Sequence, residues 1–166
     1  MEKLTEILQR LHDAAVEFSL IGGLAARHYG VSLLTDDVDV CARFTLENLR
    51  KIEKAVQDLH PRHRLVANPL PLELTDELCS RLKNLYLATD LGILDCLSEV
   101  AGIGDFDAVL QQSELNQFPF GQVYVLKMDA LIRAKEAAGR SQDMRAVGQL
   151  RAIEERSKQK RDGYSR

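Results

Sequence analysis

The stretch FSLIGGLAARHYGVSLLTDDVDV, residues 18–40, runs from four mostly apolar residues into Gly22 and Gly23. It ends with Asp37 and Asp39 alternating with Val38 and Val40. In a strand, side chains alternate between faces, so the valines point into a core and the two acids share the opposite face. Carboxylates about 7 Å apart on one face repel when both are ionised. A cation between them removes the conflict, and hard oxygen donors suit Mg²⁺ or Mn²⁺. Asp36 falls on the other side of the strand by the same alternation, or caps the strand start, and is a bystander in either case.

A third acid fits the same place. In GILDCL, Asp95 is flanked by Ile93, Leu94, Cys96 and Leu97. A lone Asp within a buried strand is costly unless it is paired or bound to metal. If GILDCL lies beside DVDV, Asp95 completes a cluster of three carboxylates. There it would ligate a second metal or take a proton from an attacking hydroxyl. Gly22 and Gly23 follow a strand and precede a helix, where the absence of side chains lets backbone N–H groups approach a phosphate. Separately, each piece has an ordinary structural reading: a turn, a solvated edge strand, a hydrogen-bonded core acid. Together they suit phosphoryl or nucleotidyl transfer.

The surrounding chain reads as one α/β domain. It has 166 residues, 45% apolar, with a net charge of −3, so no overall basic field attracts nucleic acid. With no Trp and 5% aromatics it makes a poor base-stacking platform. Cys41, Cys79 and Cys96 lack metal-ligand spacing and read as buried free thiols. The charged, amphipathic start MEKLTEILQR is unlike a signal peptide, and no apolar run reaches the roughly 18 residues of a membrane span. The expectation is a cytoplasmic protein with no membrane partner.

Apolar periodicity predicts a helix over 3–16 and a strand at FSLI. A helix follows at LAARHYG, and a strand at DVDVCARF. A helix capped by Thr45 comes next, carrying Leu46, Leu49, Ile52, Val56 and Leu59 on one face. HRLVA reads as a third strand, and a loop or a short helix follows Thr75. NLYLAT and GILDCL form a hairpin through Asp90–Gly92. DFDAVLQQSEL reads as helix and GQVYVLKM as strand, before helices over 128–138 and from Ser141 to about 158. Gly139 stops the first of these helices and Ser141 caps the second, while the tail SKQKRDGYSR is expected to fray. The expected division is a core over 1–127 with a helical extension over 128–166 packed on it.

The pattern Ile21, Gly22, Gly23, thirteen residues, Asp37, Val38, Asp39, Val40 resembles the signature of the nucleotidyltransferase superfamily, the fold shared with DNA polymerase beta. Asp95 matches that family's third carboxylate. ALIRAKEAAGRSQDMRAVGQL is similar to the C-terminal motif of small bacterial nucleotidyltransferases related to AbiE-type toxins, with Lys135, Arg140 and Asp143 at matching positions. Leu33 and Gln142 depart from that pattern, standing where it carries Arg and Lys. The resemblance implies a mixed β-sheet flanked by helices. It also implies attack of an acceptor hydroxyl on the α-phosphate of a nucleoside triphosphate, with release of pyrophosphate. Asp37, Asp39 and Asp95 would be the catalytic and metal-binding acids. Gly22, Gly23, Lys135 and Arg140 would hold the nucleotide. Thr35 would touch a phosphate or only hydrogen-bond its own turn. The acceptor would be an RNA, a protein or a small molecule such as an aminoglycoside, and a toxin role would bring a cognate antitoxin. Lys135 and Arg140 also suit a solvated helix face. Leu33 and Gln142 motivate the alternative, a catalytically degenerate nucleotide- or partner-binding module of the same fold.

Overall fold

A computed structural model describes residues 2–163, and the side chains as far as 159. Helix α1 (Glu2–Asp13) buries Leu4, Ile7, Leu8 and Leu11, one stripe of its 3.6-residue period. Strand β1 (Phe18–Leu20) leads into α2 (Gly22–His28), and strand β2 (Asp37–Ala42) follows. The next helix, α3 (Leu46–Val56), is capped by the Thr45 side chain, which accepts from the Asn48 N–H. Strand β3 (Arg62–His63) and helix α4 (Asp76–Arg81), capped by Thr75, precede the hairpin β4 (Asn84–Thr89) and β5 (Gly92–Leu97). A small ribbon of β6 (Glu99–Val100) and β7 (Gly104–Asp105) leads to α5 (Phe106–Gln111). A second hairpin, β8 (Ser113–Phe118) and β9 (Gly121–Leu126), is followed by α6 (Met128–Ala138) and α7 (Ser141–Gly163).

Seven strands form one mixed sheet in the order β3-β4-β5-β2-β1-β9-β8. The β1/β9 and β2/β5 pairs are parallel and the other neighbours antiparallel. Helix α1 packs on α3 and on β2 and β5, while α6 packs on α2 and α7. At the centre of the sheet Val38, Val40, Leu94 and Cys96 are fully buried on one face. Cys41 and Cys79 are buried free thiols as well. Burial pushes the Cys41 thiol up to about 12, with Asp105 and Glu99 adding to the effect. No helix among the described residues is long and apolar enough to cross a membrane.

Several sequence expectations need correction. HRLVA does not form a strand: only His63 pairs, and Leu65 and Val66 are exposed in a bend. The two prolines downstream, Pro69 and Pro71, cannot donate to a ladder, which keeps this edge short. DFDAVLQQSEL divides, since α5 stops at Gln111 and SEL starts β8, where hairpin pairing to β9 overrides helical periodicity. Leu46 is exposed at the first turn of α3 rather than on its buried face. Ser141 lies within the first turn of α7, because the Met144 N–H bonds to the Arg140 carbonyl. The tail expected to fray continues α7 to Gly163, and its last residues, 164–166, lie outside the described residues.

Asn48 ties α3 to the ends of β1 and β2. Its carbonyl accepts from Glu17 N–H at 2.8 Å, and its amide donates to the Glu17 and Arg43 carbonyls at 3.0 and 2.8 Å. Asn48→Ala leaves the Glu17 N–H and the Arg43 carbonyl without this partner, while the Glu17 carbonyl keeps the Arg43 N–H; an unsatisfied buried group costs about 1–3 kcal/mol. Urea denaturation is therefore expected to show a loss of roughly 2 kcal/mol, whereas the exposed Leu46→Ala changes stability by less than about 1 kcal/mol.

Candidate active site

The parallel pairing of β2 with β5 sets Asp39 directly opposite Asp95, with Val38 opposite Leu94 and Val40 opposite Cys96. The two-residue period then puts Asp37 on the same face as Asp39. Each of the three carboxylates offers an oxygen, and these oxygens lie within 4.8 Å of one another. Asp36 is exposed and stands apart from them. Among the described residues this is the group of acids and other ligating side chains able to hold a metal ion.

Each acid is held differently. Asp37 Oδ1 accepts from the Thr35 hydroxyl at 2.6 Å, so Thr35 orients an acid. Asp39 is raised to about 6, first by burial and then by the charges of Asp37 and Asp95. The Gly23 N–H and the Lys135 charge partly offset that rise. Asp95, buried more deeply, is gripped by the Arg64 guanidinium: Nε donates to Oδ1 at 3.0 Å and Nη2 to Oδ2.

The glycines are required by contact as well as conformation. Gly22 has φ +67, and a Cβ there would sit 2.0 Å from Asp39 Oδ2. A Cβ on Gly23 would meet Thr35 Oγ1 at 2.5 Å. The turn therefore presses bare backbone against the acids. Gly22 and Gly23 are themselves the first residues of α2, which starts two residues earlier than the LAARHYG pattern suggests.

Lys135 and Arg140 meet at Asp143. Lys135 Nζ donates to Oδ1 at 3.3 Å, and Arg140 Nε donates to Oδ2 at 2.6 Å. Lys135 and Asp143 are buried, so Lys135 is no solvated helix residue. The left-handed Gly139 (φ 67) turns the chain from α6 into α7 and lets the two helices share this pair. Arg140 is exposed and lies within the field of Asp39 and Asp37. His28 and Tyr29 point elsewhere: His28 Nε2 is 2.9 Å from Asn116 Oδ1, and the Tyr29 hydroxyl donates to Glu114 and to the Leu126 carbonyl.

Arg64 is the residue sequence reading missed. It lies in HRLVA, which reads as a strand with no role in the site, and only the expected burial of Asp95 signalled that some cation must meet it.

The donors fit a hard divalent cation: three carboxylate oxygens within reach of one another, at least one of them raised by the others' charge. The mixed sheet with helices around it is the nucleotidyltransferase-type α/β fold. Solved structures share it over nearly the whole chain. ANT(2'')-Ia in complex with adenylyl-2''-tobramycin superimposes with a TM-score of 0.57, 14% identity and 99% coverage of both chains. The solution structure of the same antibiotic-resistance factor gives 0.54 at 14% identity, covering 99% of this chain and 94% of that one. A Thermotoga maritima protein assigned as a nucleotidyltransferase gives 0.50 at 15% identity, covering 98% and 91%. No family model matches the chain, and no curated protein matches it in sequence.

Because the folded state raises Asp39 above its unfolded value, the folded protein holds its proton more tightly. Its stability then falls as pH rises from about 4 to about 6, and stays lower above that window. Asp39→Asn removes this loss. In metal-free buffer the variant is expected to exceed wild type in stability at pH 7.5, with the difference vanishing near pH 4 in urea denaturation.

Proposed function

We propose that the chain is a metal-dependent nucleotidyltransferase that moves a nucleoside monophosphate from a nucleoside triphosphate to an acceptor hydroxyl. One observation carries the reading: Asp37, Asp39 and Asp95 converge beside a glycine turn on a fold of this type. Asp37 and Asp39 would hold Mg²⁺ or Mn²⁺, which when bound neutralises phosphate charge and polarises the reacting phosphorus. The Thr35 hydroxyl, bonded to Asp37 Oδ1, would steady that acid as a ligand. The Gly22–Gly23 backbone packs against Asp39 and Thr35, where any Cβ would intrude, and would hold the phosphate chain beside the acids through its N–H groups. Lys135 and Arg140 draw phosphate oxygens toward the same face as point charge and fork. In the reaction the acceptor oxygen bonds to the α-phosphorus. Asp95 takes its proton, and the bond to the β-phosphate oxygen breaks to release pyrophosphate.

The complex of ANT(2'')-Ia with adenylyl-2''-tobramycin supports a small-molecule acceptor as the first class to test, with RNA and protein as the others. The AbiE-like motif at Lys135, Arg140 and Asp143 motivates a toxin role with a cognate antitoxin.

Incubation with α-labelled nucleoside triphosphates, Mg²⁺ and panels of aminoglycosides, RNA and lysate protein tests the reading. Label transfer is expected to fall at least about 100-fold in Asp39→Ala. Mg²⁺ is expected to raise the melting temperature of wild type but not of that variant. Nucleotide binding without transfer to any acceptor would instead favour a binding module that retains the fold.

A further inference from the structure

The three acids are not equivalent, and Arg64 is the reason. Its guanidinium forks both oxygens of Asp95, while Asp37 receives the Thr35 hydroxyl and Asp39 the Gly23 N–H. The Asp95 side chain is 9% exposed and that of Arg64 28%, so Arg64 covers Asp95 from the solvent side. The Arg64 backbone is fixed: its N–H bonds to the Tyr86 carbonyl at 3.1 Å, and the preceding His63 pairs with Leu87. The guanidinium carbon stands 5.5 Å from the centroid of the Tyr86 ring. Only the side chain has to swing for the fork to open.

Two consequences follow from this geometry. The fork takes one lone pair on each Asp95 oxygen, and the guanidinium charge weakens the pull of the remaining lone pairs on a hydroxyl proton or a cation. A metal ion on Asp95, at about 2.1 Å from its oxygen, would also stand within a few ångströms of a guanidinium of like charge. Phosphate is the other anion that an arginine fork matches in shape.

Building on the nucleotidyl-transfer reading, we propose that Arg64 is a positioning residue that gates Asp95. It holds Asp95 closed while Asp37 and Asp39 take a first divalent cation. It exchanges Asp95 for phosphate oxygens when a nucleoside triphosphate arrives. Asp95 is thereby released to ligate and to accept a proton only with substrate in place.

The test is Mn²⁺ binding to the full chain by calorimetry and electron paramagnetic resonance, with and without a non-hydrolysable nucleoside triphosphate analogue. Wild type alone is expected to bind one Mn²⁺ dependent on Asp39. Arg64→Gln alone is expected to bind a second, or to gain about tenfold in affinity, and the analogue is expected to produce the second site in wild type. Arg64→Lys, which keeps the charge without the fork, is expected to show a smaller gain and serves where the Gln variant does not fold. Equal Mn²⁺ stoichiometry and affinity in wild type and in the Arg64 variants would overturn the gate and leave the metal site standing. Absence of Asp39-dependent Mn²⁺ binding in every protein would overturn the site itself, and the gate with it.

Discussion

The alignment of Asp39 with Asp95 across the parallel β2/β5 pair governs the site. The opposite face explains why that register holds. Val38, Val40, Leu94 and Cys96 are all fully buried there. A slip of β2 by one residue would turn Val38 and Val40 toward the acidic face and drive Asp37 and Asp39 into the core. Hydrophobic burial on one side of the sheet thus maintains charge repulsion on the other. The rise of Asp39 to about 6 reflects that opposition, since its burial and both neighbouring acids act in the same direction.

The supports around the acids are small and local. Gly22 adopts a left-handed conformation and leaves the space a side chain would fill against Asp39. Thr35 holds Asp37 from the loop that leads into β2. That loop is tied to α7 through Ser32, whose N–H donates to Gln149 Oε1 at 2.9 Å, and to α2 through Arg27, which donates to the Leu33 carbonyl at 3.1 Å. Leu33 therefore contributes its backbone oxygen where the AbiE-like pattern has a cationic side chain. The C-terminal helices do more than cover the core, since the charge of Lys135, buried against Asp143, is felt at Asp39.

What was legible in the sequence was whatever a two- or 3.6-residue period encodes. The common face of Asp37 and Asp39 follows from strand alternation, and the exclusion of Asp36 follows with it. The adjacency of Asp95 was legible less directly, through the cost of an acid among Ile93, Leu94, Cys96 and Leu97. Contacts fixed by tertiary packing were not legible. Arg64 lies in HRLVA, which reads as a strand but leaves the sheet after His63, and its pairing depends on β4 carrying β3 to the neighbourhood of β5. Lys135 has an amphipathic surface pattern, yet the turn at Gly139 folds α7 back and buries it against Asp143. DFDAVLQQSEL failed for the complementary reason, because the pairing of β8 with β9 overrides a helical period.

The charges around the cluster also argue for an order of events. Asp143 is matched by Lys135 and Arg140, and Asp95 by Arg64. Asp37 and Asp39 are left with neutral donors, a hydroxyl and a backbone N–H. Near neutral pH Asp39, at about 6, is mostly ionised, so this part of the site faces solvent with net negative charge. A bare triphosphate would be repelled there, since a charge pair at close range in a partly desolvated site is screened far less than in water. On the proposed nucleotidyl-transfer reading, a cation would therefore arrive before the nucleotide or together with it. The unbalanced pair of acids, more than the paired third, sets which species this surface can accept first.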